Sequence, residues 1–181
     1  MQIRRSGIFI FLLLLNLTAH GQNLLPLLLG NTNSGTISLP SQVDRFTFFG
    51  TAGQRVYLDT FDLDAEDISI TVSSPAGRTV WSVNHNTDAG PTYLIESGTY
   101  TVSVDGGGDT TGDYSFRIID LATATAISYG SVIAGQLSPQ SATAAYRFSG
   151  TTGQRVNLES IAASAANANW RLVSPAGQNL L

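Results

Sequence analysis

The chain contains no cysteine and no lysine, and only 12% of its 181 residues are charged. Without cysteine there is no disulfide scaffold, zinc ribbon, thiol nucleophile or lipid anchor of the cysteine type. All nine basic residues are arginine and none cluster, so no nucleic-acid patch is drawn. Charge this sparse also argues against a long solvated helix or a coiled coil. Histidine is almost absent, with only His20 and His85. Missing too are G-x-S-x-G, H-E-x-x-H, a P-loop and a dinucleotide-type glycine turn, so the common catalytic signatures are excluded. What is present is 43% hydrophobic residues and 18 glycines, enough for a packed core with many turns. The length suits one ordinary domain plus a fragment, or two small domains.

The first 21 residues have the pattern of a secretory signal. Arg4 and Arg5 precede an apolar run from Ile8 to Leu17, and Ala19-His20-Gly21 supplies small residues for cleavage. The run is too short for a membrane span, which needs about twenty apolar residues. Cleavage after Gly21 starts the mature chain at Gln22, ahead of a second apolar stretch, Leu24 to Leu29, that Pro26 interrupts. The mature chain carries seven arginines against thirteen acids, a net of −6, and His85 becomes its sole histidine. A secreted product, in the medium or at the cell surface, is expected.

The sequence repeats with a period of 100. GTAGQRV at 50–56 returns as GTTGQRV at 150–156, and SPAG at 74–77 returns at 174–177. Gly30, Gly35, Phe48 and Leu58 match Gly130, Gly135, Phe148 and Leu158, and residues 26–81 share 17 of 56 positions with 126–181. A gapless match at one offset indicates tandem copies of one unit. The expected domains are 22–125 and a second copy, 126–181, truncated at Leu181. Half a copy would leave an open sheet edge and an incomplete core, so the chain is expected to be the start of a longer product.

Within the first copy the apolar period is two. Phe46 and Phe48 alternate with Arg45 and Thr47; Val56 and Leu58 alternate with Arg55, Tyr57 and Asp59. Ile68, Ile70 and Val72 behave alike, as do Tyr100, Val102 and Val104, and then Tyr114, Phe116 and Ile118. This is the signature of strands with one buried and one wet face. Turn residues separate them, notably Thr51-Ala52-Gly53, Ser74-Pro75-Ala76-Gly77 and Asp105-Gly106-Gly107-Gly108. Seven or eight short strands without a helical stretch predict an all-β fold, an antiparallel sandwich of jelly-roll or immunoglobulin-like type. Strand order is not legible.

The pieces DRFTF at 44–48, GTAGQRVYL, SPAGR, SGTYTVSVDG and GDYSFRI together resemble the bacterial pre-peptidase C-terminal domain family. The resemblance spans nearly all of the first copy and the available half of the second. It implies a small β-sandwich that accompanies secreted peptidases or forms extracellular arrays, acts without catalysis, and in some members binds calcium or contacts matrix polymers. Two features depart from the pattern. Both copies follow the signal directly, and Asp44 has Ala144 as its counterpart.

Three groups of residues are candidate sites. Asp62, Asp64, Glu66 and Asp67 lie between two expected strands, and such a loop could offer several oxygens to Ca²⁺. It reads equally as a solvated loop, because residues 162–167 of the second copy carry no charge. Asp105, Asp109 and Asp113, spaced by glycines, form a second calcium candidate, although the spacing fits neither the EF-hand nor the nonapeptide pattern. Trp81 and Tyr93, with Tyr57 and Trp170, would stack on sugar rings if exposed, yet a strand aromatic is more often core. His85 reads as a solvated loop residue. No cofactor is otherwise implied.

The expected function is therefore a non-catalytic secreted repeat module, a spacer or adhesion unit of a larger extracellular or cell-surface protein. Its partners would be an extracellular polymer, a glycan or neighbouring domains of the same chain. The alternatives are an accessory domain of a secreted hydrolase, binding polymer or calcium, and a stand-alone carbohydrate binder. Residues 26–125 carry a net of −8 and residues 126–181 a net of +2, so opposite signs favour packing of the two copies.

Overall fold

A computed structural model describes residues 24–62, 67–159 and 169–181. The signal region thus lies outside the described residues, as do Asp64 and Glu66. Nine strands build the first unit: β1 (Leu24–Pro26), β2 (Asn33–Ile37), β3 (Val43–Gly50), β4 (Arg55–Thr60), β5 (Ile68–Ser73), β6 (Thr79–Asn84), β7 (Ala89–Tyr93), β8 (Gly98–Gly106) and β9 (Gly112–Asp120). A single 3₁₀ turn, Leu121–Thr123, leads to two short strands, β10 (Thr125–Ala126) and β11 (Tyr146–Arg147). Among the described residues, no helix is long and apolar enough to cross a membrane.

The strands form a sandwich of a five-stranded sheet, ordered β1-β3-β8-β5-β6, and a four-stranded sheet, ordered β2-β9-β4-β7. Every pairing in them is antiparallel except one. β1 runs parallel to β3, with Leu25 opposite Phe46, so the larger sheet is mixed rather than purely antiparallel. Alternation in the sequence failed to show this because β1 is three residues long and exposed throughout.

The inward residues are those the period of two predicts. Within the larger sheet Ile70 and Val72 lie opposite Val104 and Val102, with Ile68 and Tyr100 buried on the same face, and Phe116 and Ile118 close the core from the smaller one. Aromatic edges lock the two layers together. Phe46 meets Phe116 of the smaller sheet edge-on at 5.5 Å, while within the larger sheet Phe48 stacks on its cross-strand partner Tyr100 at 5.3 Å, contacts that add to the area each ring buries. At Gly35 the Tyr114 ring lies directly over the backbone, where a side chain would collide with it. That close approach lets the phenol donate to Asp44 Oδ2 at 2.7 Å. SPAG makes the expected hairpin between β5 and β6, with Gly77 N–H donating to Ser74 O at 2.8 Å and Gly77 at φ +77°.

Local geometry recurs at the offset of 100. Leu25 pairs with Phe46 in β1–β3, and Thr125 pairs with Tyr146 in β10–β11, both parallel. Leu27 N–H donates to Thr47 O and Ile127 N–H to Arg147 O, each at 2.8 Å. Thr51 N–H reaches Gln54 Oε1 at 3.0 Å, and Thr151 N–H reaches Gln154 Oε1 at 3.0 Å. The sheets do not recur. Beyond β10–β11, the described part of 126–181 adds only an isolated bridge, Val173 to Asn179.

Candidate functional site

Strand β4 breaks the alternation that β5, β8 and β9 obey. Its pattern predicts Tyr57 and Asp59 on a wet face, yet Asp59 is fully buried and Tyr57 is 9% exposed. The cover comes from residues 141–143 and from Arg171, which lie over the outer face of the four-stranded sheet. A polar joint results, built from β4, β9, the loop before β7 and the segment that follows the sandwich.

Asp59 is the centre of this joint. Its Oδ2 accepts from Arg117 Nε at 2.7 Å, and its Oδ1 accepts from the Thr143 backbone N–H at 2.9 Å. Arg117 also donates from Nη2 to Thr143 O at 2.6 Å, so aspartate and arginine hold the backbone N–H and C=O of one residue. Asp88 is the second carboxylate. It accepts from Tyr57 Oη at 2.9 Å, from Thr60 N–H at 2.8 Å and from Thr143 Oγ1 at 3.2 Å. Ser141 Oγ adds a bond to Phe61 O at 2.8 Å.

Burial raises the Asp59 carboxyl above the ordinary carboxylate range, against the opposing pull of Arg117. The Tyr57 phenol is pushed up to about 12, first by burial and then by the neighbouring charge of Asp88. Tyr114 is raised for the same reasons, burial and its bond to Asp44. None of these phenols is tuned for proton transfer near neutrality. The hollow beside the joint, about 360 Å³, is lined largely by small residues and by Arg117, whose guanidinium is already engaged.

A second set of contacts fastens residues 171–177. Arg171 donates to Gly90 O at 2.8 Å and lies over the Tyr57 ring at 5.9 Å. Arg55 donates to Ser174 O at 2.8 Å, and Tyr93 Oη donates to Pro175 O. Among the described residues no ion pair joins residues 126–181 to the sandwich. Arg147 and Arg171 bond backbone carbonyls instead, and Asp59 and Asp88 accept from Thr143.

The calcium candidates are scattered in use. Asp62 Oδ2 accepts from the Ser115 N–H at 2.5 Å and lies 3.6 Å from His85 Nδ1. Asp67 O accepts from Gly107 N–H at 2.7 Å, which brings the two acidic loops side by side. Asp105 sits on β8 opposite Val43 and Ser69, and Asp109 lies exposed in the following turn. Asp113 accepts from Thr36 Oγ1 at 2.6 Å. Among the described residues, no three acidic or histidine side chains gather where an ion could be held.

The aromatic candidates separate. Trp81 is 8% exposed, with its Nε1 donating to Thr92 Oγ1 at 2.9 Å, so its ring fills the core and has no face free for a sugar. Tyr93 is half-exposed beneath the Arg55 guanidinium, and its hydroxyl is engaged by Pro175. His85 is fully buried, not solvated as its Asn-His-Asn setting predicts. The joint residues Asp59, Asp88, Arg117 and Thr143 were not singled out from sequence. One signal pointed to them: Glu159, the sole acid of 126–181, is the counterpart of Asp59.

Fold and site together define a two-sheet β-sandwich module whose buried charge joins it to the segment that follows. No known family's sequence profile matches the chain, and no curated protein matches it. Among solved structures it is similar to the pre-peptidase C-terminal domain of collagenase from Bacillus anthracis, with 13% identity and a TM-score of 0.46 over 54% of this chain and 95% of that one. It is also similar to PliG, a periplasmic lysozyme inhibitor of g-type lysozyme, from Aeromonas hydrophila (14%, TM-score 0.44, 52% and 93% covered). The Salmonella Typhimurium PliG gives 20% identity and a TM-score of 0.39, with 52% and 95% covered.

Proposed function

We propose that this chain is a non-catalytic, secreted β-sandwich repeat module that serves as a spacer or adhesion unit in a larger extracellular or cell-surface protein. The observation that carries this is the joint. Asp59, Asp88 and Arg117, the residues best suited to acid–base or electrostatic catalysis, are bonded to one another's partners and to Thr143. A general base must reach a proton on a substrate, whereas Asp59 is fully buried and Asp88 spends its oxygens on Tyr57, Thr60 and Thr143. Charge used in this way orients one unit on the next. The recurring turns and the recurring parallel strand pair support a unit that is copied along the chain.

The test uses the mature chain, residues 22–181, under limited trypsin digestion. All cleavable sites are arginines, and Arg147 is tied by its Nε to Ala124 O at 3.0 Å. Slow cleavage at Arg147, together with inertness towards peptide, ester and glycoside substrates, is the expected result. Turnover that disappears in Asp59→Asn or Asp88→Asn would overturn the proposal.

A further inference from the structure

Ser74-Pro75-Ala76-Gly77 and Ser174-Pro175-Ala176-Gly177 fold into the same turn. Ser74 N–H donates to Arg78 O and Ser174 N–H to Gln178 O, each at 2.8 Å. Gly77 N–H closes on Ser74 O at 2.8 Å and Gly177 N–H on Ser174 O at 2.9 Å, with the two glycines at φ +77° and +83°. Their surroundings differ. Residues 75–77 are exposed, and a side chain placed at Gly77 would meet open space. The 174–177 turn is seated. Ser174 O accepts from the Arg55 guanidinium at 2.8 Å, and Pro175 O accepts from the Tyr93 hydroxyl. A Cβ at Gly177 would stand 3.2 Å from the Tyr93 ring, closer than the ~3.5–4.0 Å of ordinary carbon packing.

The seat is built by register. Arg55 on β4 and Tyr93 on β7 are cross-strand partners, and the guanidinium lies 5.7 Å from the centre of the ring. Together they offer donors to two successive carbonyls, beside a flat face that a glycine at the fourth turn position can approach and a larger residue cannot. Proline at the second position presets that turn. These features belong to the turn itself, so the seat recognises S-P-x-G wherever it is presented. The exposed turn at 74–77 meets the same specification. Its Ala76 N–H donates to Glu96 Oε2 at 3.0 Å and Pro75 rests against Gly98, so turn and seat stand at one end of the sandwich. Arg78, where the other turn is followed by Gln178, lies 3.8 Å from Glu96, which opposes its charge. Two chains related by a two-fold axis can therefore exchange turns in a closed pair. We infer that Arg55 and Tyr93 form a receptor for S-P-x-G turns, filled in cis by 174–177, whose partner in trans is the 74–77 turn of a second copy of this chain. The inference rests on the reading of the chain as a repeat module and names the contact by which one unit docks on another.

The experiment compares the mature chain, residues 22–181, with its variants by sedimentation velocity over a range of concentrations. A second readout is tryptic cleavage at Arg171, whose guanidinium donates to Gly90 O while 171–177 is seated. The parent, with its seat filled, should be a monomer cut slowly at Arg171. Gly177→Ala strains the turn and presses on Tyr93, so it should speed that cleavage about tenfold and let the chain dimerise. Tyr93→Ala should speed cleavage as much and leave the chain monomeric, because the seat itself is gone. Gly77→Ala imposes the same strain in open space. Alone it should change neither readout, and combined with Gly177→Ala it should abolish the dimer. Thermal midpoints confirm that each variant folds. A parent that already dimerises, unchanged cleavage or a monomer in Gly177→Ala, or a dimer that survives Gly77→Ala or Tyr93→Ala would each overturn the inference. The spacer proposal is read from Arg147 cleavage and inertness towards substrates, so either can fail without the other.

Discussion

Residues 55–59 and 155–159 read RVYLD and RVNLE, nearly the same strand twice. In the first, Val56 and Leu58 are fully buried; in the second, Val156 and Leu158 are 37% and 45% exposed. The difference is supplied by neighbours. β4 is flanked by β7 and β9, which pair with it on both edges, whereas the described part of 126–181 provides no equivalent strands. An alternating sequence therefore specifies which face would be buried, but burial needs a second sheet. The outward residues teach the converse. Asp59 is buried because another segment covers it, although its place in the alternation marks it as wet.

Six substitutions would break or sharpen this comparison. The largest effect is expected from Leu58→Ala, which opens a cavity in the closed core and should cost about 3 kcal/mol in urea unfolding. Leu158→Ala should stay within about 0.5 kcal/mol, as surface changes do. Equal costs for the two would mean that the second strand is buried in solution.

Asp59→Ala comes next, because it strands Arg117 against a covered surface and removes the acceptor of the Thr143 N–H. A loss of about 2 kcal/mol is expected, below the ~3–5 kcal/mol for breaking a fully buried pair, since Arg117 keeps some water. Glu159→Ala, its counterpart, should be nearly silent by the same measurement. Thr143→Val keeps the backbone bond and deletes only the hydroxyl that reaches Asp88. About 1 kcal/mol, read as roughly fivefold faster tryptic cleavage at Arg147, is expected.

The smallest effect is one of pH. The Tyr57 phenol rises from 10.0 to about 12 on folding, so the folded state favours the neutral form. Its contribution is whole below pH 10 and is lost as pH climbs through about 12. Tyr57→Phe should flatten the fall of the melting temperature over that interval. A fall as steep as that of the parent would assign the alkaline transition to Tyr114 instead, whose pKa is raised as well.

Much of the sandwich was legible because a half-buried strand writes its orientation into alternate residues. Phe46 and Phe48, the run Ile68-Ile70-Val72 and the run Tyr100-Val102-Val104 were placed inward from that pattern, and all are buried. SPAG was legible because proline and glycine restrict φ in opposite ways at fixed turn positions. The site was not. Asp59 and Asp88 are 29 residues apart and Thr143 lies 84 residues beyond Asp59, so no local spacing announces that they meet. Clustered acids drew notice instead, at Asp62–Asp67 and Asp105–Asp113. Proximity in sequence is a poor guide to shared chemistry when a sheet separates neighbouring loops.

Phe49 shows alternation overruling adjacency. A strand aromatic next to two core phenylalanines invites a core assignment, yet the alternation that turns Phe46 and Phe48 inward puts Phe49 outward, and it is exposed. Trp81 shows the reverse, since its sequence setting allowed either face and the tertiary structure turned it inward.

By itself the sequence determined the all-β class, the inward face of each long strand, the turns and the period of 100. These follow from local φ restriction and from alternation, which act within a few residues. Only the tertiary structure decided the strand order, the parallel entry of β1 and the burial of His85 and Asp59. Each of these depends on which distant segment covers which surface, and that choice is made by the summed burial and hydrogen bonding of the whole chain.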